Sequence, residues 1–361
     1  MPAKPAAKSR LTEVVMGADG RPGYTSVEIC AGAGGQALGV EQAGFRHLAL
    51  VENDPWCCQT LRSRRTWRSS VREIDLHEWT AKKFKGQVDL FAGGVPCPPF
   101  SRAGRQLGAD DERDLFPKAL ELIGECQPRA VMLENVRGLL SAEFEDYRRA
   151  NIERPLRNMG YEVEWKLLNA SDFGVPQLRP RAIFVALLQD EMPYFQWPKP
   201  DPGSAPTVGE ALRREMGSRG WPGAAAWAAR ANDIAPTLVG GSKKHGGPDL
   251  GPTQAKKRWR ELGVNGLGVA DEPPPPSWNG EPPMLTVRMA AMLQGFPKDW
   301  PFAGRKTNAY RQVGNAFPPP VAHAVASCIA RALRAADAQN VPSRREVEGQ
   351  VGEVLEAASV A

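Results

Sequence analysis

From residue 24 to about 188 the chain alternates short β-branched or apolar runs with helix-length segments, and no other feature constrains its fold as strongly. The candidate strands are 27–30, 48–52, 88–92, 131–134, 163–168 and 182–187, with helical stretches such as 115–126 between them. Parallel strands need long crossover connections, and helices supply them. The pattern therefore predicts an α/β domain with a doubly wound, mostly parallel sheet. Beyond residue 188 Pro, Gly and Trp become dense (Trp197, Trp221, Trp227, Trp259, Trp278), and four successive prolines at 273–276 exclude a central strand or helix interior there. A separate, smaller, loop-rich module is expected from about 190 to 285. Regular alternation returns at 285–294, and a helix over 321–335 closes the fold.

The first strand runs into Ala31-Gly32-Ala33-Gly34-Gly35, with a helix expected over 36–43. Glycines at a strand-to-helix turn allow tight reversal and close approach of backbone to a ligand. Glu52 stands at the tip of the second strand, twenty residues after Gly32, where an acid accepts hydrogen bonds from ribose hydroxyls. Asp75 ends the next segment, placed to hold an adenine amino group. These features fit NAD, FAD or S-adenosylmethionine equally, because each presents a ribose.

Gly93-Gly94-Val95-Pro96-Cys97-Pro98-Pro99-Phe100-Ser101 follows the strand at 88–92, at the carboxyl edge where doubly wound sheets bind ligands. A Gly- and Pro-rich loop is a poor place to bury a small apolar group, so Cys97 is a candidate nucleophile. Cys30, Cys57, Cys58, Cys126 and Cys328 are expected to be structural. The loop continues through Arg102, Gly104, Arg105 and Gly108, as a basic lid over an anionic substrate would. Glu134, in Glu134-Asn135-Val136, ends its strand at the same edge. Gln177-Leu178-Arg179-Pro180-Arg181 brings two cations next to it, suited to counter Glu134 and to bind a phosphate or a base carbonyl.

The six cysteines form no C-x-x-C pair and the four histidines are scattered, so no metal site is expected and the thiols should be reduced. The chain's 361 residues contain no apolar run of membrane-spanning length, and the opening MPAKPAAKSR has no apolar signal region, which makes the cytoplasm the expected compartment. Net charge is +5 but unevenly placed: residues 213–260 hold ten Lys or Arg against three acids. Such an excess is either a solvated face or a surface that tracks phosphates.

Taken in order, these blocks resemble the DNA cytosine-5 methyltransferase family of the bacterial and phage restriction-modification type, over nearly the whole chain. Glu28 to Gly35 is similar to its first cofactor motif, Glu52-Asn53-Asp54 to its second and Asp75-Leu76 to its third. Pro96-Cys97 through Ser101 resembles the catalytic proline-cysteine motif, Glu134-Asn135-Val136 the Glu-Asn-Val motif, and Gln177 to Arg181 the Gln-x-Arg-x-Arg motif. Leu285-Thr286-Val287-Arg288 with Leu293 to Pro297 resembles the ninth motif, and Gln312-Val313-Gly314-Asn315-Ala316 with Pro318-Pro319 the tenth. Departures are Cys30 where many members carry a phenylalanine that packs on the cofactor adenine, Asn53 where the residue is often hydrophobic or aromatic, and Pro98 where a glutamine often follows the cysteine.

The resemblance implies a Rossmann-like S-adenosylmethionine-dependent fold and transfer of a methyl group to C5 of a flipped-out cytosine in double-stranded DNA, without a metal. Cys97 would attack C6, Glu134 would hold or protonate N3, and Arg181 with Arg179 would anchor the base carbonyl and orient Glu134. The implied cofactor residues are Cys30, Gly32, Gly34, Glu52, Asn53, Asp75, Leu76, Pro96, Leu115, Asn315 and Ala316. Ser101, Arg113, Gln177, Lys243, Lys244, Lys256, Lys257 and Arg258 are the implied DNA or substrate contacts. Because Asn315 and Ala316 return late to the cofactor site, the expected organisation is discontinuous: a tail over 1–23, a catalytic domain over 24–189 and 308–336, a target-recognition domain over 190–307 and a tail over 337–361. A cognate restriction endonuclease would be a functional partner. Three other readings are weaker. A nicotinamide oxidoreductase leaves Cys97, Glu134 and the arginines unexplained. A non-catalytic DNA-binding regulator conflicts with the intact reacting groups. A tRNA methyltransferase of the same fold should carry a Cys-Phe-Thr sequence that is absent.

Overall fold

In the computed structural model the described residues are 23–96, 114–240 and 248–340. Seven strands, β1 (Tyr24–Ile29), β2 (Phe45–Glu52), β3 (Val71–Glu73), β4 (Leu90–Gly94), β5 (Ala130–Val136), β6 (Tyr161–Asn169) and β7 (Pro180–Leu188), form one sheet in the order β3-β2-β1-β4-β5-β7-β6. β1 to β5 pair in parallel, whereas β7 runs antiparallel to both β5 and β6. The mostly parallel sheet matches the sequence expectation. β3 was not foreseen, since three residues are too short to show a period. β4 begins two residues later than expected, and Cys30 lies beyond β1 because its φ of +50° ends the strand.

Side-chain alternation sorts the sheet into two faces. Val131 and Leu133 of β5, with Phe184 and Ala186 of β7, pack on one side with α3 (Phe116–Cys126). Ala130 and Met132, with Ile183 and Val185, pack on the other side with α11 (Pro319–Asn340) and Val40 of α1 (Gly35–Gln42). The result is a helix–sheet–helix sandwich. α11 starts two residues earlier and ends five later than the 321–335 expected. Pro319 and Pro320 are tolerated there because first-turn N–H groups have no intrahelical acceptor.

α1 and α11 touch backbone to backbone at Gly39, where an added Cβ would lie 2.4 Å from the Pro319 carbonyl oxygen and 2.5 Å from the His323 nitrogen. Helix propensity alone favours Gly39→Ala by about 1 kcal/mol. The clash opposes it with a repacking cost of about 1–3 kcal/mol or more, since backbone cannot rotate away. Gly39→Ala should therefore lower the melting temperature in a thermal unfolding scan; a rise would show that the two helices separate freely.

A third core joins the later segment to the outer side of α1 and α2 (Pro55–Ser63). Leu38, Leu61 and Trp67 meet residues from α6 (Val208–Met216), α8 (Thr253–Glu261), α9 (Val287–Leu293) and α10 (Lys306–Asn315), among them Leu212, Trp259, Leu293 and Val313, together with Trp300. Trp227 and Trp259 are buried, and the Trp227 indole donates to the Gly263 carbonyl at 2.8 Å. Large aromatics supply apolar area to a segment with few regular elements, which explains their density there. Pro273–Pro276 lie outside helix and strand.

Candidate active site

The glycine-rich turn after β1 uses three left-handed residues, Cys30, Gly32 and Gly34, at φ of +50°, +53° and +83°. For Cys30 this conformation costs about 1–2 kcal/mol. The turn is held from several sides: Ala31 N–H donates to the Val51 carbonyl at 3.1 Å, Gly34 N–H to the Ala31 carbonyl at 3.0 Å, and the Trp300 indole to the Ala33 carbonyl at 3.1 Å. A Cβ on Gly34 would meet the Trp67 ring at 2.7 Å, and one on Gly35 would meet the Phe317 carbonyl oxygen at 2.3 Å. Here glycine is required for packing as well as for conformation.

Glu52 closes the turn. One carboxylate oxygen accepts from Gly32 N–H at 2.7 Å, the other from Asn53 and Asp54 N–H at 2.9 and 2.8 Å. Burial pushes its carboxyl up and these three donors oppose the shift. Asp54 caps α2 through Trp56 and Cys57 N–H, and Asp75 accepts from His77 N–H at 2.9 Å. These loops border a cleft of about 550 Å³ at the carboxyl edge of the parallel strands. A volume of roughly 300–1,000 Å³ is usual for cofactor sites. Cys30, Gly32, Glu52, Asn53, Asp75, Leu76, Pro96, Leu115, Asn315 and Ala316 all line it, whereas Gly34 makes the turn without lining it.

Glu134 lines the same cleft from the end of β5, paired in register with Gly94 of β4. Its Oε1 meets Arg181 Nε at 2.6 Å, both side chains about one-seventh exposed (13% and 14%). Arg181 stands on β7 opposite Val136, so the antiparallel pairing of β5 with β7 sets this ion pair. Asn135 Nδ2 donates to the Val95 carbonyl at 2.8 Å, which fixes the exit of β4 one residue before Pro96. Cys97, Ser101 and Arg113 lie outside the described residues, as do Lys243 and Lys244.

Two expectations need correction. Arg179 does not join Arg181 beside Glu134. It is 2% exposed and its guanidinium donates to the carbonyls of Leu238 at 2.7 Å, and of Gly314 and Ala316 at 2.9 Å each. Burial, with the Arg181 cation next, pushes its pKa down to about 9, which still leaves a cation at neutral pH. Gln177, expected among the DNA contacts, is fully buried and joins Leu238 N–H to the Leu293 carbonyl and the Gln294 side chain. Gln294 in turn donates to the Ala316 carbonyl at 2.6 Å. A polar pair inside a loop reads as outward-facing in a sequence; only the late segments that fold over it supply acceptors.

Sequence reasoning also passed over Trp56, Asn308 and Arg311, which line the cleft. The signal was available for α10: positions 308, 311 and 315 share a helical face. Glu28 was noted only as part of a motif. It is buried in β1 and borders the cleft, its Oε2 has no partner among the described residues, and burial holds its carboxyl well above the usual range against an opposing Ala37 N–H. An acid raised in the folded state stabilises fully below its unfolded pKa of about 4.3, and that contribution is lost as pH rises toward the folded value. Glu28→Gln should therefore gain on the wild type in thermal melts as pH is raised from about 5 to 8. A gap independent of pH would show that Glu28 is charged in the fold.

The sequence pattern of the family described as C-5 cytosine-specific DNA methylase matches residues 24–331. The chain belongs to that family. It is 53% identical over 357 residues to the type II methyltransferase M.NaeI of Lentzea aerocolonigenes, covering 92% of this chain and 85% of the relative. It is 51% identical over 314 residues to the type II methyltransferase M.NgoMIV of Neisseria gonorrhoeae, covering 86% and 98%. Among solved structures, the Dnmt2 methyltransferase of S. pombe aligns with a TM-score of 0.57 at 18% identity, covering 86% of this chain and 99% of the other, a likeness of fold.

The DNA cytosine-5 methylase thus has the Rossmann-like sheet common to methyltransferases that generally use S-adenosylmethionine. Its basic residues are less free than their count suggests. Arg62 pairs with Glu73, Arg64 with Glu41 at 2.5 Å, Lys256 with Asp249 at 2.6 Å and Arg258 with Asp233 at 3.3 Å, while Lys257 is exposed. Burial pushes up the thiols of Cys30, Cys58, Cys126 and Cys328, to about 12 for Cys58 and Cys126. None of these four is a ready thiolate. Among the described residues no group of metal-ligating side chains occurs, and no helix is long and apolar enough to cross a membrane.

Proposed function

We propose that the methylase acts on C5 of cytosine within a fixed sequence of double-stranded DNA, using S-adenosylmethionine, through a covalent adduct between Cys97 and C6. The observation that carries this reading is Glu134, held by Arg181 at 2.6 Å, which lines one cleft with the glycine turn and Glu52, beside the β4 exit that leads into Cys97. The cleft suits the cofactor chemically. Gly32 and its neighbours leave backbone open to a ligand, Glu52 stands at the strand tip for a ribose, and Glu28 Oε2 and Arg311 Nε are polar atoms without partners among the described residues. When bound, S-adenosylmethionine supplies an electrophilic methyl group on a sulfonium.

The chain's own residues make C5 receptive. The Cys97 thiolate forms a bond to C6, and the electron pair displaced from the C5–C6 double bond makes C5 nucleophilic. Glu134 holds N3 and shares a proton with it as C6 is attacked, while Arg181 fixes the carboxyl and faces the base carbonyl. After C5 is methylated, loss of its proton and expulsion of the Cys97 thiolate restore the aromatic ring. A base stacked in duplex DNA cannot reach this cleft, so the cytosine is flipped out at a cost of about a few kcal/mol. Residues 190–307 serve as the target-recognition part, with Lys256, Lys257 and Arg258 near the phosphates. The type II naming of the relatives supports pairing with a restriction endonuclease of the same specificity in the cytoplasm.

The deciding experiment is incubation of mixed-sequence duplex DNA with the enzyme and S-adenosylmethionine, read by bisulfite sequencing. Protected cytosines in one context support the reading, and Cys97→Ala should abolish protection while DNA binding survives. Methylation by Cys97→Ala would remove the covalent mechanism. No protection by folded wild-type enzyme at saturating cofactor would remove the substrate assignment.

A further inference from the structure

The described lining of the cleft carries several carboxylates, including Glu52, Asp75 and Glu134, and a single Lys or Arg, Arg311. Arg311 stands on α10 one turn before Asn315, and Asn308, Arg311, Gln312 and Asn315 turn one helical face toward the cleft. Its neighbours on that face are committed. Gln312 accepts from Thr60 Oγ1 at 2.6 Å and donates to the Ala303 carbonyl at 2.8 Å, while Asn315 packs against Gly240. Arg311 forms no hydrogen bond or ion pair among the described residues. Its Nε is enclosed and has no partner among the described residues, and the side chain as a whole is half-buried. A guanidinium with no partner among the described residues, on the wall of a largely acidic cleft, is a receptor for a planar anion.

We propose that Arg311 binds the α-carboxylate of the amino-acid tail of S-adenosylmethionine and of its demethylated product. The inference rests on reading the cleft as the S-adenosylmethionine site. The position within the cleft selects this end of the molecule. Glu52 marks the ribose, whereas α10 runs into Ala316 and Phe317, which pack on Gly35 at the start of α1. The carboxylate is the one anionic group of the cofactor, and Arg311 is the one described cation available to meet it. The remaining groups of the ligand are cationic or neutral and suit the acidic side.

The test is titration calorimetry on the full chain with S-adenosylhomocysteine and with 5′-methylthioadenosine, which keeps the adenosyl thioether but lacks the amino-acid tail. Arg311→Gln is expected to weaken S-adenosylhomocysteine by about ten- to a hundredfold, the usual range for a charge-assisted pair, and to leave 5′-methylthioadenosine unchanged. Arg311→Lys should recover part of the loss, since an ammonium keeps the charge without the fork. Equal losses for both ligands, or none for S-adenosylhomocysteine, overturn the assignment. Unchanged S-adenosylhomocysteine binding with weakened duplex DNA binding would assign Arg311 to a phosphate instead. Failure of the wild type to bind S-adenosylhomocysteine would sink the cofactor reading itself, a separate outcome.

Discussion

Glu134→Gln should slow methyl transfer by about 10²–10⁴-fold in single-turnover assays on duplex DNA, the range expected when a positioned acid–base group is lost. The amide has nearly the same shape, so the fold and the approach of a base should persist. It cannot exchange a proton with N3, and it replaces the anion that meets Arg181 at 2.6 Å. Arg181 would then keep a neutral acceptor, which holds its guanidinium less firmly. Affinities for S-adenosylhomocysteine and for DNA should change little, so the effect belongs to the chemical step. A Glu134→Gln enzyme within tenfold of wild type would remove Glu134 from the reaction and leave it as a partner that positions Arg181.

Arg179→Met should destabilise the fold by about 3–5 kcal/mol, read as a lower denaturant midpoint. Methionine fills a similar volume without polar contacts. The carbonyls of Leu238, Gly314 and Ala316 would lose their charged donor, and each buried acceptor left without a partner costs about 1–3 kcal/mol. Against a total stability of about 5–15 kcal/mol, that is a large fraction. Arg179→Lys should rescue little, since one ammonium cannot reproduce the planar fork that spans three carbonyls. Asn315 lies between two of the three anchored residues, so cofactor affinity should fall together with stability. A variant of wild-type stability with impaired DNA contacts would instead make Arg179 a direct reader of substrate.

The groups that line the cleft were legible in the sequence because they are carried by short, local blocks. A glycine-rich turn after a strand, an acid at the next strand tip and a Glu-Asn-Val at another strand end are local patterns, and the parallel sheet brings such strand ends to one edge. Cys30, Gly32, Glu52, Asp75 and Glu134 accordingly border one cleft. The general alternation that makes such a sheet is equally local, which is why six of its seven strands could be read from the residues; the three-residue β3 could not.

The division of labour between Arg179 and Arg181 was decided by tertiary structure alone. They are two residues apart on similar sequence, yet one closes an internal network and the other meets Glu134. Their partners come from residues 238 and 314–316 in one case and from β5 in the other, contacts that no local pattern encodes. The same holds for Gly39, whose neighbours belong to a helix 280 or more residues later, and for Arg311, whose lack of a partner among the described residues is a tertiary property that no local pattern shows. Sequence alone determined which chemical groups this methylase has and which strand ends carry them, since propensity and turn chemistry act over a few residues. Which of those groups are spent on holding the fold and which stay free for a ligand was decided by the tertiary structure, because hydrogen-bond satisfaction and burial depend on atoms far apart in the chain.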